Sequence, residues 1–304
     1  MKLAMVGLGK MGANMVRRLV NDGHEVIAYD VDNATAVSLA TELENVTAVS
    51  NINEVIETLL EPRVIWLMVP HQFVDESIEM LVKAGMSKGD LLIDGGNSNF
   101  KLSQQRASTL AESGIYFVDC GTSGGIWGLK NGYSIMAGGS NEAIAMIKPA
   151  LESLAPAKDK GWGHVGQAGA GHYVKMVHNG IEYGMMQAFA EGFELLDAKK
   201  EMDLDLQQVS EIWQDGSVVS SWLLDLIADA FANDKNLDGL SDYVDDSGEG
   251  RWTVHDSIDL GVPTPVLTLA LQMRFRSRQE SSFSGKVLNA MRAGFGGHAI
   301  RKNN

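Results

Sequence analysis

The sequence predicts an α/β protein in two parts. The first is an N-terminal Rossmann-type doubly wound parallel sheet over residues 1–165, and the second an all-α C-terminal domain with a tail over residues 166–304. Three observations predict it. Up to about residue 160 the short apolar runs KLAMVGLG, HEVIAYD, RVIWLMVP, LLIDGG, IYFVDC and YSIMAGG alternate with amphipathic stretches, the pattern of strand–helix–strand units on a parallel sheet. The unbroken apolar run VIWLMV suits a strand covered on both faces. Beyond the glycine-rich linker APAKDKGWGHVGQAGAG the reading turns helical nearly to the end. It runs through Gly169–Lys199, DLQQVSEIWQDG, SSWLLDLIADAFAN and two further segments after Pro263.

Composition bounds the function. A chain of 304 residues with 45% hydrophobic content can bury a sizeable core. It has no apolar run of about 18 residues, and MKLAMVGLGK leads straight into a strand without a signal-peptide pattern, so a cytoplasmic protein is expected. The net charge of −14 argues against nucleic acid or an anionic membrane as partner. An anionic ligand must then be met by a local cluster of basic groups. Cys120 is the single cysteine, which excludes an internal disulfide and a CxxC pair and makes it buried filler. The seven histidines show no HExxH or comparable spacing, so no metal site is expected.

The cofactor end is VGLGKMG, with Gly7, Gly9 and Gly12 spaced G-x-G-x-x-G around Leu8, Lys10 and Met11. It follows an apolar strand and opens an amphipathic helix. The first glycine permits the tight turn, the second lets backbone approach a pyrophosphate, and the third lets helix and strand pack closely. The helix N-terminus offers N–H groups to phosphate. About 20 residues on, Asp30 in AYDVDNA stands where a carboxylate accepts both ribose hydroxyls. Its plainer role would be to cap the next helix. With Asp32 close by and no Arg or Lys beside them to receive a 2′-phosphate, NAD is predicted over NADP. Val69 and Pro70, at the end of VIWLMVP, are expected near the cofactor.

Three segments carry polar groups where ligands gather. IDGGNSN places Asn97 and Ser98 at the carboxyl end of a strand, and VDCGTSGGIWG places Ser123, Gly124 and Gly125 likewise. In GHYVKMVHNGIEYG, Lys175, His178, Asn179 and Glu182 stand at i, i+3, i+4 and i+7, the spacing of a buried apolar stripe. Lys175 and Glu182 fall about 20° apart around the helix and about 10 Å apart along it, so a small sugar acid could lie between them. Tyr173, Val174, Met176, Val177, Ile181, Met185, Met186 and Phe189 make the rest of this helix apolar. It is therefore expected to be largely buried, with its polar stripe facing a site.

On these motifs the chain resembles the 6-phosphogluconate dehydrogenase family, the decarboxylating enzymes of the pentose phosphate pathway. The resemblance runs from the Gly7 motif through IDGGNS, SGG and GAGHYVKMVHNGIEYG to GRWT at Arg251, nearly the whole chain. KMVHNGIEYG is its most specific part. It implies that Lys175 is the general base for the C3 hydroxyl as hydride leaves to the nicotinamide. The resulting β-keto acid loses carbon dioxide, and Glu182 protonates C1 of the enediol to give ribulose 5-phosphate. A lysine acts as base only when neutral, a state that desolvation favours.

The resemblance further implies that Asn97, Ser123, Gly124, Gly125, His178 and Asn179 hold the substrate's carboxylate and hydroxyls, with Asn97 serving the cofactor as well. Tyr183, Arg251, Thr253 and Arg274 would bind its phosphate, joined by Arg292 and His298 from the tail of a neighbouring subunit, MRAGFGGHAI. Arg251 replaces the family's common lysine and keeps the charge. A homodimer or homotetramer follows. The chain lacks length for the duplicated helical domain of long family members and so resembles the short bacterial form. The alternative is a β-hydroxyacid dehydrogenase of the 3-hydroxyisobutyrate type, which shares the fold and the lysine. Glu182 and the trio Arg251, Arg274 and Arg292 separate the two. A non-catalytic NAD-sensing protein would need neither Lys175 nor Glu182.

Overall fold

The computed structural model describes residues 1–296. Among them eight strands form one sheet: β1 (Lys2–Val6), β2 (Glu25–Tyr29), β3 (Val46–Ala48), β4 (Val64–Leu67), β5 (Leu91–Asp94), β6 (Tyr116–Ser123), β7 (Ser134–Gly139) and β8 (Trp162–Gly166). The order is β3-β2-β1-β4-β5-β6-β7-β8. All neighbours are parallel except β6 and β7. The chain winds outward from β1 to β3 and then crosses to β4 on the other side of β1. The boundary between β1 and β4 is therefore the switch point at which such sheets open a crevice.

Both faces of the sheet are covered, as the apolar runs predict. Leu3 and Met5 point to one side, where they meet Met15, Val16 and Leu19 of α1 (Lys10–Asn21), Leu39 of α2 (Asn33–Glu42) and, further along, Ile147 and Leu151 of the helix Asn141–Leu154. Ala4 and Val6 point to the other, with Val55 and Ile56 of α3 (Ile52–Thr58), Leu81 of α4 (Val74–Ala84) and Leu110 of α5 (Phe100–Glu112). This alternation with period two is what a strand buried on both faces requires. The short α6 (Gly128–Asn131) and α7 (Asn141–Leu154), the latter capped by Ser140, complete this part.

By compactness the chain divides into one unit of Met1–Asn179 and a second beginning at Gly180. The division falls inside α8 (Ala170–Ala198), whose first turns belong with the sheet. The second unit is helical, with α9 (Leu206–Gln214), α10 (Trp222–Asn233), α11 (Gly248–Asp259), α12 (Pro265–Ser277) and α13 (Phe283–Gly296). Asp205 and Ser221 cap α9 and α10 through their side chains. Phe193 of α8 anchors these two helices, its ring centroid 5.6 Å from Trp213 and 5.4 Å from Phe231.

The structure corrects the reading of the sequence in several places. GWGHVG, read as linker, is strand β8, pairing parallel to β7 with a bulge at Ala137/Gly138. It is partly exposed and carries no apolar run, so periodicity gives no signal for it. Strand β3 has only three residues. The antiparallel β6–β7 pair breaks an otherwise parallel sheet. Helix α11 begins with two glycines in GEGRWT, which weaken its pattern.

One buried cluster lies under the loop between α1 and β2. His24 is 4% exposed. Its Nε2 lies 2.7 Å from Ser153 Oγ, whose hydroxyl also donates to Asp22. Burial first, then the nearby Met1 amino group, hold the His24 pKa below its ordinary value. A group depressed in this way contributes stability above its unfolded pKa and loses it as pH falls through the folded value. The unfolding free energy is therefore expected to begin falling as pH drops below about 6.5. Chemical denaturation of the wild type and His24→Gln between pH 8 and 5 checks this, with the variant losing that part of the slope.

Candidate active site

At the switch point a cleft of about 820 Å³ opens over the carboxyl ends of β1, β2, β4 and β5. Gly7, Gly9, Lys10, Met11, Gly12, Asp30, Val69, Pro70 and Asn97 all line it. Leu8 does not: its side chain is buried and its backbone N–H donates to Asp30 Oδ2 at 2.6 Å. The same carboxylate accepts the Asp32 N–H on Oδ1 at 2.9 Å. The helix cap belongs to Asp32, which accepts from Ala34 N at 3.2 Å, so Asp30 is not the cap of α2. Asp30 instead ties the glycine turn to the end of β2 and faces the cleft.

The turn fits a dinucleotide. Gly7 has φ of 94°, and a side chain on Gly12 would strike the Gly7 carbonyl, so strand and helix can approach only with both bare. Gly9 stands at the N-cap of α1 and no side chain caps this end. The N–H groups of its first turn are therefore presented to an anion rather than to the protein's own acceptors. The sequence reading missed Phe73 and Met80 of the opposite wall, two large apolar residues left partly exposed. Nothing in an ordinary amphipathic helix singles them out.

Asn97 sits at the far end of this cleft with φ of 50°, a left-handed conformation that asparagine tolerates better than most residues. Its side chain is paired with the backbone of Thr122. Oδ1 accepts the Thr122 N–H at 3.0 Å and Nδ2 donates to the Thr122 carbonyl at 3.3 Å. The amide still has a second N–H and a second lone pair to offer. Ser123 closes β6 next to it, followed by Gly124 and Gly125 with φ of 122° and 51°.

Strand β6 also holds the start of α8. The buried Asp119 accepts the backbone N–H of Gly169 at 2.6 Å and of His172 at 2.7 Å, acting as the cap of this helix. Burial pushes the Asp119 carboxyl above its usual range, against the opposing pull of His172 and of the two N–H groups. His172 is itself buried, with Nδ1 at 2.8 Å from Ser103 Oγ. Two residues along the strand, Gly121 faces Lys175 so closely that an added Cβ would collide with the Lys175 Cβ. Lys175 is consequently 5% exposed, with its Nζ donating to Asn179 Oδ1, which also lies 3.0 Å from His178 Nδ1. Lys175, His178 and Asn179 thus form one hydrogen-bonded group. Cys120, between Asp119 and Gly121, is fully buried, and burial drives its thiol pKa well up, which leaves it the inert filler expected.

The rest of α8 departs from expectation. Val174, Ile181, Met185 and Met186 are exposed, whereas the polar Lys175 is buried and His178, Asn179 and Glu182 are half-buried. The helix is not apolar-inward around most of its circumference. Periodicity identifies an apolar face but does not say what covers it.

In the second unit, cations gather about Tyr183. The Arg274 guanidinium lies 3.6 Å from the centroid of the Tyr183 ring. The Tyr183 hydroxyl accepts the Ser247 N–H at 2.7 Å. Gly250, beside Arg251, leaves room for the same ring, and Thr253 Oγ1 donates to the Glu249 carbonyl at 2.8 Å. Arg251 donates to Asp246 through Nε at 2.6 Å and Nη2 at 3.3 Å. Arg278 donates to the same carboxylate. Burial pushes Asp246 up, but the two arginines outweigh it and hold the carboxyl below its usual range. The sequence reading missed Arg278 and Asp246, although Arg278 stands four residues after Arg274. Tyr183, Arg251, Thr253 and Arg274 are brought together. Arg292 stands exposed on α13, and His298 lies outside the described residues.

A glycine-rich turn on a switch-point cleft, followed by a buried lysine on a long helix, defines a nucleotide-dependent dehydrogenase fold with a helical second domain. Comparison with known proteins makes the class specific. Residues 2–166 match the family described as the NAD binding domain of 6-phosphogluconate dehydrogenase, and residues 171–288 match the 6-phosphogluconate dehydrogenase C-terminal domain. The Bacillus subtilis protein YqeC, provisionally named a 6-phosphogluconate dehydrogenase, is 42% identical over 302 residues, 99% of this chain and 100% of that one. The NAD(+)-dependent, decarboxylating 6-phosphogluconate dehydrogenase of Haloferax volcanii is 40% identical over 304 residues, 99% of each. The solved Plasmodium falciparum 6-phosphogluconate dehydrogenase, described in complex with NADP+ and with 6-phosphogluconate, is 28% identical. It superposes with a TM-score of 0.83 over 100% of this chain and 66% of that one. The chain belongs to the 6-phosphogluconate dehydrogenase family.

The Asp119 cap generates a prediction. Asp119→Asn keeps the shape but replaces one acceptor oxygen by a donor, leaving the Gly169 or His172 N–H unpaired. Loss of a helix N-cap costs roughly 0.5–2 kcal/mol, so a lowered melting temperature is expected, together with faster amide exchange over the first turn of α8. Unchanged exchange there would show that the cap is not what fixes the helix.

Proposed function

We propose that this protein oxidises and decarboxylates 6-phosphogluconate to ribulose 5-phosphate and carbon dioxide, with NAD as acceptor. The observation that carries the reading is Lys175 and Glu182 on one continuous helix, seven residues apart, in a chain matched to this family along nearly its whole length. Bound NAD supplies the hydride acceptor. Gly7, Gly9, Lys10, Met11 and Gly12 cradle its pyrophosphate, while Val69, Pro70, Phe73 and Met80 wall the cleft. Asp30 receives the ribose hydroxyls. Support for NAD over NADP comes from Val31 and Asp32 beside Asp30, where a 2′-phosphate would meet carboxylates instead of cations, and from the NAD dependence named for the Haloferax relative.

Lys175 takes the proton of the substrate's C3 hydroxyl. The product of that oxidation is a β-keto acid, and the lysine, now an ammonium, stabilises the charge that develops on the C3 oxygen as carbon dioxide leaves. Glu182 then delivers a proton to C1 of the enediol. Asn97, Ser123, Gly124, Gly125, His178 and Asn179 hold the carboxylate and hydroxyls. Arg251, Arg274, Tyr183 and Thr253 hold the phosphate, with Arg292 and His298 of a neighbouring tail. A homo-oligomer is supported by the exposed stripe Val174, Ile181, Met185 and Leu195, which follows one side of α8 for about 30 Å. The setting is cytoplasmic. Among the described residues no helix is long and apolar enough to cross a membrane.

The test is NADH formation with 6-phosphogluconate, gluconate and 3-hydroxyisobutyrate, repeated with NADP. Turnover is expected with the first substrate and with NAD. Lys175→Met should reduce turnover by at least about 1,000-fold, within the range expected for an acid–base group, and still bind NAD. Preference for 3-hydroxyisobutyrate or for NADP, or near-normal turnover in the lysine variant, contradicts the reading.

A further inference from the structure

Strand β5 ends in a carboxylate, Asp94, that is fully buried. It lies behind the cleft and is absent from its lining. A buried charge must be paired and hydrogen-bonded to persist, and each partner of Asp94 is a piece of the turn that carries Asn97 or a support beneath it. Oδ1 accepts the Gly96 N–H at 3.0 Å. Oδ2 accepts the Ser98 hydroxyl at 2.8 Å and Arg106 Nη1 at 3.0 Å. The residues on either side of Asn97 are thus both tethered to one carboxylate, and the carboxylate is held from below by one guanidinium.

Arg106 is 6% exposed. Its Nε donates to Asp75 at 2.6 Å, and this hydrogen bond holds the Asp75 carboxyl below its usual range. Asp75 belongs to α4, the helix that also supplies Glu76, Ser77 and Met80 to the cleft wall. Arg106 therefore joins α5, α4 and the β5 turn. The turn has little slack of its own. A Cβ on Gly96 would come within 2.6 Å of the Val69 carbonyl, and one on Gly95 within 2.6 Å of Trp66 Nε1. Asn97, in its left-handed conformation, closes the arrangement through its two bonds to Thr122.

We propose that Arg106 is a positioning residue for the reaction: by pairing with Asp94 it fixes the Gly95–Ser98 turn and hence the direction of the Asn97 amide. It touches neither cofactor nor substrate. The catalytic consequence rests on the role proposed above for Asn97, while the structural consequence stands apart from it. Without the guanidinium, Asp94 would lose its buried counter-charge, and its two tethers to the turn would slacken together.

The test compares Arg106→Gln, Arg106→Lys and the double variant Asp94→Asn/Arg106→Gln. Hydrogen exchange of the turn amides, measured without substrate, should speed up by at least about tenfold in Arg106→Gln. Its kcat/KM for 6-phosphogluconate should fall by about 100-fold, the scale of an ångström of misplacement. The Kd for NAD should rise by less than kcat/KM falls, because the glycine turn and Asp30 belong to β1 and β2, whereas Gly95, Gly96 and Asn97 line only part of the cleft. Arg106→Lys, which keeps the charge, should recover part of the loss. The double variant, in which no buried charge is left unpaired, should exceed the single Gln variant in kcat/KM. If Arg106→Gln does not fold, the lysine and double variants carry the comparison with wild type. A folded Arg106→Gln with unaltered exchange and kinetics overturns the proposal. So does one that loses only melting temperature, or a double variant no better than the single. If the wild type fails to oxidise 6-phosphogluconate while the exchange difference appears, the proposed function falls and the positioning of the turn by Arg106 stands.

Discussion

Much of the candidate site depends on how α8 is fastened to strand β6. A helix begins with four backbone N–H groups that lack internal partners, and here two of the N–H groups at this start, those of Gly169 and His172, meet the carboxylate of Asp119 inside the protein. The bond is between a sheet and a helix, so it sets both the height at which α8 starts and its rotation. Lys175 follows one turn later against Gly121. Its position is then a consequence of the cap and of a missing side chain, not of its own contacts alone. The same strand continues to Thr122, whose backbone aligns Asn97, and to Ser123. Within the first unit, one strand therefore registers Lys175, the Asn97 amide and Ser123.

This arrangement places several polar groups where water is excluded, and each has at least one partner, although His172 Nε2 and Arg106 Nη2 are buried without one among the described residues. Asp119 has two backbone donors, Asp94 has a guanidinium, a hydroxyl and a backbone donor, and His172 has Ser103. Unpaired, any of them would cost more than an apolar residue of the same shape. Their retention fits a site that must be rigid at the scale of tenths of an ångström. The cationic group of the second unit is built on another logic. Arg251 and Arg278 share Asp246, and Arg274 stacks on Tyr183, so long flexible side chains are aligned before any ligand arrives.

Legibility in the sequence followed physical strength of signal. The Gly7 turn, the strands buried on both faces and the helices capped by Asp205 and Ser221 were readable because each has a local cause. Strand β8 and helix α11 were not, since partial exposure in one and paired glycines in the other erase periodicity. The stripe of Lys175, His178, Asn179 and Glu182 was legible as an anomaly, and its half-burial is found. The expected burial of the opposite apolar side is not, because sequence periodicity does not distinguish cover by the same chain from other cover. Arg106, Asp119 and Arg278 escaped notice because Asp75, Gly169, His172 and Asp246 lie more than 30 residues from them, whereas Asp94 and Asp246 also pair with near neighbours at spacings that no sequence rule singles out.

The most direct test of this account is Gly121→Ala. The added methyl enters the space of the Lys175 Cβ and approaches the Gly171 carbonyl to 2.7 Å, so it displaces α8 without altering any ionisable group or the cofactor cleft. In a variant shown to be folded, kcat with 6-phosphogluconate and NAD should fall by about 100-fold, as expected when a reacting group shifts by an ångström, with the Kd for NAD unchanged. A folded Gly121→Ala enzyme with wild-type kcat would contradict the claim that strand β6 sets the position of Lys175, the base proposed for the reaction.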